Sequence, residues 1–580
     1  MTRRLKVILP AGLGVLLLSW IGHSIFSQRE TSYNGKWLSD WAQQFGANNW
    51  STNRGAAEEA KIAIQHIGTN GIPFFLDCMR KRDSILKATL RKAIPRKWHD
   101  KLHLQDHSGD LRRVGAHGIA ALGTNAALAL PSLLQCATNH PDEDGRYIAV
   151  FAIRTLGAAA EPAVPFLIQC LTNSVNIIRD DAALALGYGR LSPELAVPAL
   201  VQYVNFAKTS SGTLELRDAV ESLGSFSPSL VFPFLLPMLD DPNPSLREYV
   251  TNAIARLETG SADATTILGV ADGHFTINNR PTFLLGFSYF AVLGAPDDFI
   301  RQDLNAFQLR GFNCLRVFAT WNVFGTDFSA VDSSGKKRTP FFDALERLVQ
   351  LCDRRGIVVD ITLARGKGVL PNFNSHKLAV ATLVNELRKN RNWYLDLSNE
   401  HDVQDDRFVS NDELRELRAE IRRLDANRLV TASFGGHDLG IDEIRTAVST
   451  VGLDFICPHR PRNVESPGQT LAKTTNCIAI LKQISSPAPL NYQEPFRRDY
   501  GDWQPGAEDF LADLRGAING GAAGWCFHNG AARDADGKGV RRCFDLRPKR
   551  LFDQLDTEER KFLDEVAKVA LDVSIRTSSR

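Results

Sequence analysis

The stretch Trp393-Tyr394-Leu395-Asp396-Leu397-Ser398-Asn399-Glu400-His401 decides how the second half of this chain reads. It opens on aromatic and apolar residues that suit a buried, pleated strand, and it closes on an amide and a carboxylate. A strand is therefore predicted over 393–398, with Asn399 and Glu400 just past its C-terminal end. Working outward, comparable runs occupy 283–289, 314–319, 357–363, 428–434, 455–459, 488–493 and 523–528. Amphipathic patterns separate them at 341–353, 377–389, 412–424 and 507–518, and a last helix is expected over 558–573. A hairpin over 268–281 precedes the first strand, with turns at Ala271-Asp272-Gly273 and Asn278-Asn279. Eight such units predict a (β/α)8 TIM barrel over residues 266–575. An open doubly wound sheet would alternate too, but no Gly-rich phosphate loop follows the first strand.

Barrel enzymes carry their chemistry at the C-terminal ends of the strands. Those ends hold Arg316, Trp321 and Asn322 after strand 2, Asn399-Glu400-His401 after strand 4, and His437 after strand 5. Strand 6 ends in His459, strand 7 in Tyr492-Gln493-Glu494, and strand 8 in Trp525-Cys526-Phe527-His528. Strands 4 and 7 face one another across an eight-stranded mouth. Glu400 and Glu494 are thus the candidate catalytic pair, because glycoside hydrolysis needs two carboxyls flanking the scissile bond. One must be protonated while the other is ionised. Arg316 is placed to keep Glu494 ionised through a charge-assisted hydrogen bond. Trp321 and Trp525 offer apolar faces on which a pyranose ring packs.

With those residues in view, the chain resembles clan A glycoside hydrolases, the cellulase-like families such as family 5, over roughly residues 268–575. Asn399-Glu400 after a hydrophobic strand looks like that clan's strand 4 signature, Glu494 is similar in placement to its nucleophile, Arg316 to its strand 2 arginine, and Trp525 to its strand 8 tryptophan. The resemblance implies that Glu400 is the acid/base, that Glu494 is the nucleophile and that Asn399 holds the sugar 2-hydroxyl. Their places at the strand ends add Tyr492, His437 and His459 to the expected substrate-binding residues. The chain departs from the clan's His-x-Tyr feature near strands 5 and 6, and Pro495-Phe496-Arg497-Arg498 follow Glu494 where many relatives have Gly.

The first half reads differently. Arg3, Arg4 and Lys6 precede an apolar run over 7–26. A positive flank with a run of about 20 apolar residues predicts a signal anchor or a signal peptide within 1–30, with the rest of the chain outside the cytoplasm. The uncleaved anchor is preferred, because a cleaved signal has a shorter apolar core. From 34 to 258 a phrase recurs in which an Ala/Leu-rich helix end meets Gly, and then Pro opens an apolar helix. Its copies pair Gly123 with Pro131, Gly157 with Pro165, Gly187 with Pro198 and Gly224 with Pro233; a degenerate copy pairs Gly68 with Pro73. Gly closes a helix in the left-handed conformation, and Pro opens the next where its missing N–H costs nothing. Such units bury their apolar faces only by stacking. The phrase resembles HEAT repeats and implies an all-α solenoid, which serves either as a surface for a protein or glycan partner or as a spacer.

The 580 residues exceed one core, and the net charge of +2 does not suggest a nucleic-acid partner. Nine scattered cysteines show no zinc-site spacing and read as small buried hydrophobes. The histidines show no metal-ligand spacing either, so neither a metal nor a cofactor is expected. The whole is a multidomain chain whose expected activity is retaining hydrolysis of O-glycosidic bonds in a poly- or oligosaccharide. Two alternatives stand beside it, a catalytically inactive barrel that binds carbohydrate and a scaffold led by the repeats.

Overall fold

The computed structural model describes residues 31–578 apart from 49–53, 100, 103, 105–106, 210–212, 260–265, 365, 499–501 and 529–543. The expected N-terminal anchor or signal at 1–30 and Cys543 lie outside the described residues. The chain divides into two compact units, Met1–Phe226 with Asp241–Ala253, and Ser227–Asp240 with Ile254–Arg580. The sequence places one boundary near 258. The contacts instead give Ser227–Asp240 to the second unit.

The described part of the first unit is helical apart from a small hairpin of Ser32–Tyr33 and Lys36–Trp37. The Gly–Pro phrase falls on helix boundaries in three copies. Gly68, Gly123 and Gly157 take φ of +65°, +55° and +54°, and Pro73, Pro131 and Pro165 sit in the first turn of the helices that follow. The other two copies depart from the expectation. Gly187 lies inside the helix Asn176–Gly189, whose C-cap is Arg190, and Pro198 and Pro233 lie inside helices that begin at Pro193 and Pro228. Gly187 has a packing reason instead. A Cβ there would come 2.5 Å from the Ser222 Cα, so only glycine lets these two backbones touch. Ion pairs tie every second helix at similar places: Arg112 to Asp144 (2.9 Å), Arg154 to Asp181 (2.6 Å), and Arg179 to Glu215 (2.6 Å).

The second unit opens on the predicted hairpin. Leu268–Ala271, His274–Ile277 and Arg280–Pro281 form a three-stranded antiparallel sheet. Asp272, Gly273, Asn278 and Asn279 all have positive φ, as tight hairpin turns demand. Its Leu268 and Phe275 pack on Leu284, Cys314, Val358, Tyr394 and Phe455, so the hairpin closes the N-terminal end of the barrel. The barrel strands are β1 (Leu284–Ser288), β2 (Cys314–Phe318), β3 (Val358–Thr362), β4 (Trp393–Asp396), β5 (Val430–Thr431 and Ser433–Phe434), β6 (Cys457–Pro458), β7 (Asn491–Tyr492) and β8 (Gly524–Phe527).

All pairings are parallel and follow chain order: β1 on β2, β2 on β3, β3 on β4, β4 on β5 and β5 on β6. A single bridge from Ile456 to Leu490 links β6 to β7; β7 then pairs with β8, and β8 returns to β1. The strands β6 and β7 are shorter than the sequence predicts. Pro458 and Pro489 lie in those runs and cannot donate to a ladder. Every residue of these eight strands is buried, which fits a parallel sheet covered by helices on its outer face. The helices Asp297–Leu309, Phe341–Arg354, Phe373–Glu386, Asn411–Leu424, Ser466–Gln483, Ala507–Gly520 and Thr557–Ser578 run between and after the strands. The eight described cysteines are all buried.

Candidate active site

The C-terminal end of β4 carries Glu400 on a backbone held in the left-handed region, at φ +49°. That conformation is costly for a non-glycine residue, and such outliers gather at functional positions. The loop is pinned to β5: Ser433 Oγ accepts the Glu400 N–H at 3.0 Å, and Asp402 Oδ1 accepts the Gly435 N–H at 2.7 Å. Glu494, just beyond β7, is buried. Glu400, His459 and Glu494 bring side-chain ligand atoms within 4.8 Å of one another. The two carboxylates thus meet over one mouth.

Glu494 is surrounded by donors. Arg316 Nη1 hydrogen-bonds its Oε1, and Arg462 Nη2 donates to its Oε2 at 2.6 Å. His528 Nε2 lies 3.4 Å away and His459 Nδ1 3.7 Å away. Burial would raise the Glu494 pKa, but these neighbours outweigh it and hold the carboxyl well below the usual range. The neighbours that lower it are, in order, His528, His459, Arg316 and Arg462, while burial holds His528 itself well below its ordinary value. Glu400 accepts from His459 Nδ1 at 3.0 Å and from Arg462 Nη2 at 3.4 Å. Burial and the nearby Glu494 raise its pKa, while His459 and Arg462 more than offset them, leaving Glu400 below its ordinary value.

Beneath the pair lies a polar layer facing the barrel axis. Arg316 Nη2 donates to Asn399 Oδ1 at 2.8 Å, and its Nε donates to Thr362 Oγ1 at 3.2 Å. It also lies 3.5 Å from Asp360 and 3.6 Å from Asp396. Gln493 Nε2 donates to Asp360 Oδ2 at 2.6 Å. Burial pushes the Asp360 carboxyl up to about 7, with Asp396 adding to the rise and Arg316 opposing it. On the rim, the half-buried Trp321 stacks on Phe290 at 5.3 Å, and Phe290 meets His528 edge-on at 5.5 Å. Trp321 is therefore one ring away from a neighbour of Glu494.

The structure brings Glu400, Glu494, Arg316, Asn399 and His459 together, but three residues expected at the site lie elsewhere. Trp525 is fully buried on the outer side of the sheet. Its Nε1 donates to Asp513 of the helix Ala507–Gly520 at 2.6 Å, and its ring packs on Phe562. Tyr492 also points outward, its hydroxyl 2.9 Å from Thr474 Oγ1. His437 is 42% exposed; it bonds Glu443 at 2.8 Å and lies 3.6 Å from Asp402, and neither carboxylate of the pair is among these partners. In their stead the site holds Arg462, His528, Asp360 and Gln493. The strand alternation in Trp525-Cys526-Phe527-His528 contains the signal for His528, since the lumen-facing residues are Cys526 and His528. Asp360, a lone acid in Val358-Val359-Asp360-Ile361, carries the signal of a lumen-facing polar residue.

Glu400, His459 and Glu494 have the donor types of a metal site. However, two guanidinium groups already touch the Glu494 oxygens, and their charge opposes a cation there. Strand order and this polar layer define a parallel α/β barrel with an acidic site at its C-terminal mouth. No protein-family model matches the chain, and no curated protein matches it in sequence. Among solved structures, an endo-1,4-β-mannanase from Rhizomucor miehei matches with a TM-score of 0.41 and 12% identity, over 53% of this chain and 99% of that one. An endo-β-1,4-mannanase from Thermotoga petrophila gives 0.38 and 14%, over 50% and 78%. A glycoside hydrolase family 5 protein from Bacteroides vulgatus gives 0.37 and 16%, over 50% and 68%. Likeness at this level decides nothing about chemistry.

Proposed function

We propose that this protein is a retaining glycoside hydrolase acting on O-glycosidic bonds of a poly- or oligosaccharide. The observation that carries the reading is the approach of Glu400 and Glu494, whose oxygens come within 4.8 Å. Retaining enzymes hold their two carboxyls about 5–5.5 Å apart, whereas inverting ones need room for a water. Glu494 attacks the anomeric carbon while Glu400 gives a proton to the departing oxygen, and a glycosyl-enzyme ester forms. Water then attacks that carbon, Glu400 takes the water proton, and Glu494 is released. The ionised state of Glu494 suits the nucleophile. Asn399, fixed by Arg316, serves a sugar hydroxyl, and Trp321 offers the apolar face.

The second reading is a sugar-binding barrel without turnover, with the helical unit as a platform for a protein partner. Arg462 favours it, since one guanidinium bridges both carboxylates. A panel of aryl glycosides and polysaccharides, tested on wild type and Glu494→Gln, separates the two. Turnover in wild type, lost by at least about 10³-fold in the variant, supports the hydrolase. Sugar binding with turnover in neither supports the module. We further propose that the apolar segment 7–26 holds both units outside the cytoplasm. Protection of the folded units from an externally added protease in intact cells would count against this.

A further inference from the structure

Arg462, in the loop after β6, reaches both members of the pair with one nitrogen, 2.6 Å from Glu494 and 3.4 Å from Glu400. Its side chain is only 13% exposed, against 28% for Glu400. Other groups around Glu400 include His459 from the same loop, Glu494 just beyond β7, and Ser433, which accepts its backbone N–H. Arg316 from β2 and His528 from β8 act on it through Glu494. In this arrangement both carboxylates are held as anions. Glycosidic cleavage requires one of them to carry a proton.

Building on the hydrolase reading, we propose that Arg462 is a positioning residue that clamps Glu400 to Glu494 until sugar binds. An incoming sugar ring pushes its guanidinium off Glu400, and only then does Glu400 take up the proton it donates. Glu400 lies below its ordinary value; burial and Glu494 raise it, and His459, followed by Arg462, lowers it. Because Glu494 keeps Arg316, the nucleophile stays ionised when the clamp opens.

The test uses the full chain labelled with 13C at glutamate carboxyls, with the Glu400 signal assigned by its loss in Glu400→Gln. In Arg462→Met the Glu400 midpoint is expected to rise by about 1–2 pH units, the effect of losing a cation in contact. Arg462→Lys keeps the charge and should stay near wild type. If the methionine variant does not fold, Arg462→Gln takes its place with the same expected rise. An unmoved Glu400 midpoint in the uncharged variant, or an equal shift in that variant and in the lysine one, overturns the clamp. Kinetics test the release. The profile of kcat/KM reports the free enzyme, and that of kcat reports the complex. In wild type the basic limb of kcat should lie at higher pH than that of kcat/KM, and in Arg462→Met the two limbs should coincide. A purely structural arginine would lower both profiles without moving a limb. If wild type turns over no glycoside, the hydrolase reading fails, while the carboxyl titration still decides the clamp.

Discussion

Replacing Arg316 by methionine tests whether the polar layer under the site is held by one charge. Arg316 is 1% exposed, and Glu494, Asp360 and Asp396 around it are 5%, 1% and 0% exposed. Methionine fills a similar volume but leaves three buried acids facing one another. Removing one partner of a buried ion pair costs about 3–5 kcal/mol, mostly from the charge left behind. At roughly 2 °C per kcal/mol for a large domain, the transition of the barrel unit should fall by about 6–10 °C near pH 8. The loss should depend on pH. Burial already lifts Asp360 to about 7 from an ordinary 3.8, against the pull of Arg316. Without the guanidinium it rises further, and Glu494 rises with it. An acid whose pKa is raised by folding stabilises the fold at pH below its unfolded value, and that contribution is lost as pH climbs through the folded value. The variant should therefore be closer to wild type near pH 5 than near pH 8. Differential scanning calorimetry at the two pH values measures this. A loss under about 1 kcal/mol, or an equal loss at both pH values, would refute the account of Arg316 as the counter-charge of the layer.

Two further outcomes follow from particular contacts. Glu400→Ala should slow glycosides with poor leaving groups by about 10²–10⁴-fold and spare the bond-breaking step for activated aryl glycosides, which need no proton; a uniform loss across leaving groups would remove Glu400 from the acid role. Gly187→Ala sets a Cβ 2.5 Å from the Ser222 Cα, forces two packed helices apart, and should destabilise the first unit by about 1–3 kcal/mol. An unchanged melting transition for that unit would mean that the helices do not need this approach.

Sequence by itself carried the strand order. Buried parallel strands are continuous apolar runs and their helices are amphipathic, so local pattern and connection length together define the β/α alternation. It also carried the pairing of Glu400 with Glu494, because strands 4 and 7 of an eight-strand ring face each other whatever the loops do. The two positive-φ turns of the hairpin were legible for a local reason, since Asp-Gly and Asn-Asn favour that backbone. Only the tertiary structure decided which way each side chain faces. One residue of register moves a side chain to the other side of the sheet: Trp525 went to Asp513 and the outer helices, while His528 took the place beside Glu494. The same holds for Arg462 and His437. A loop beyond a strand has no periodicity to read, and its path is set by packing and hydrogen bonds to residues far along the chain. That path put an arginine between the two carboxylates and left the histidine at the rim.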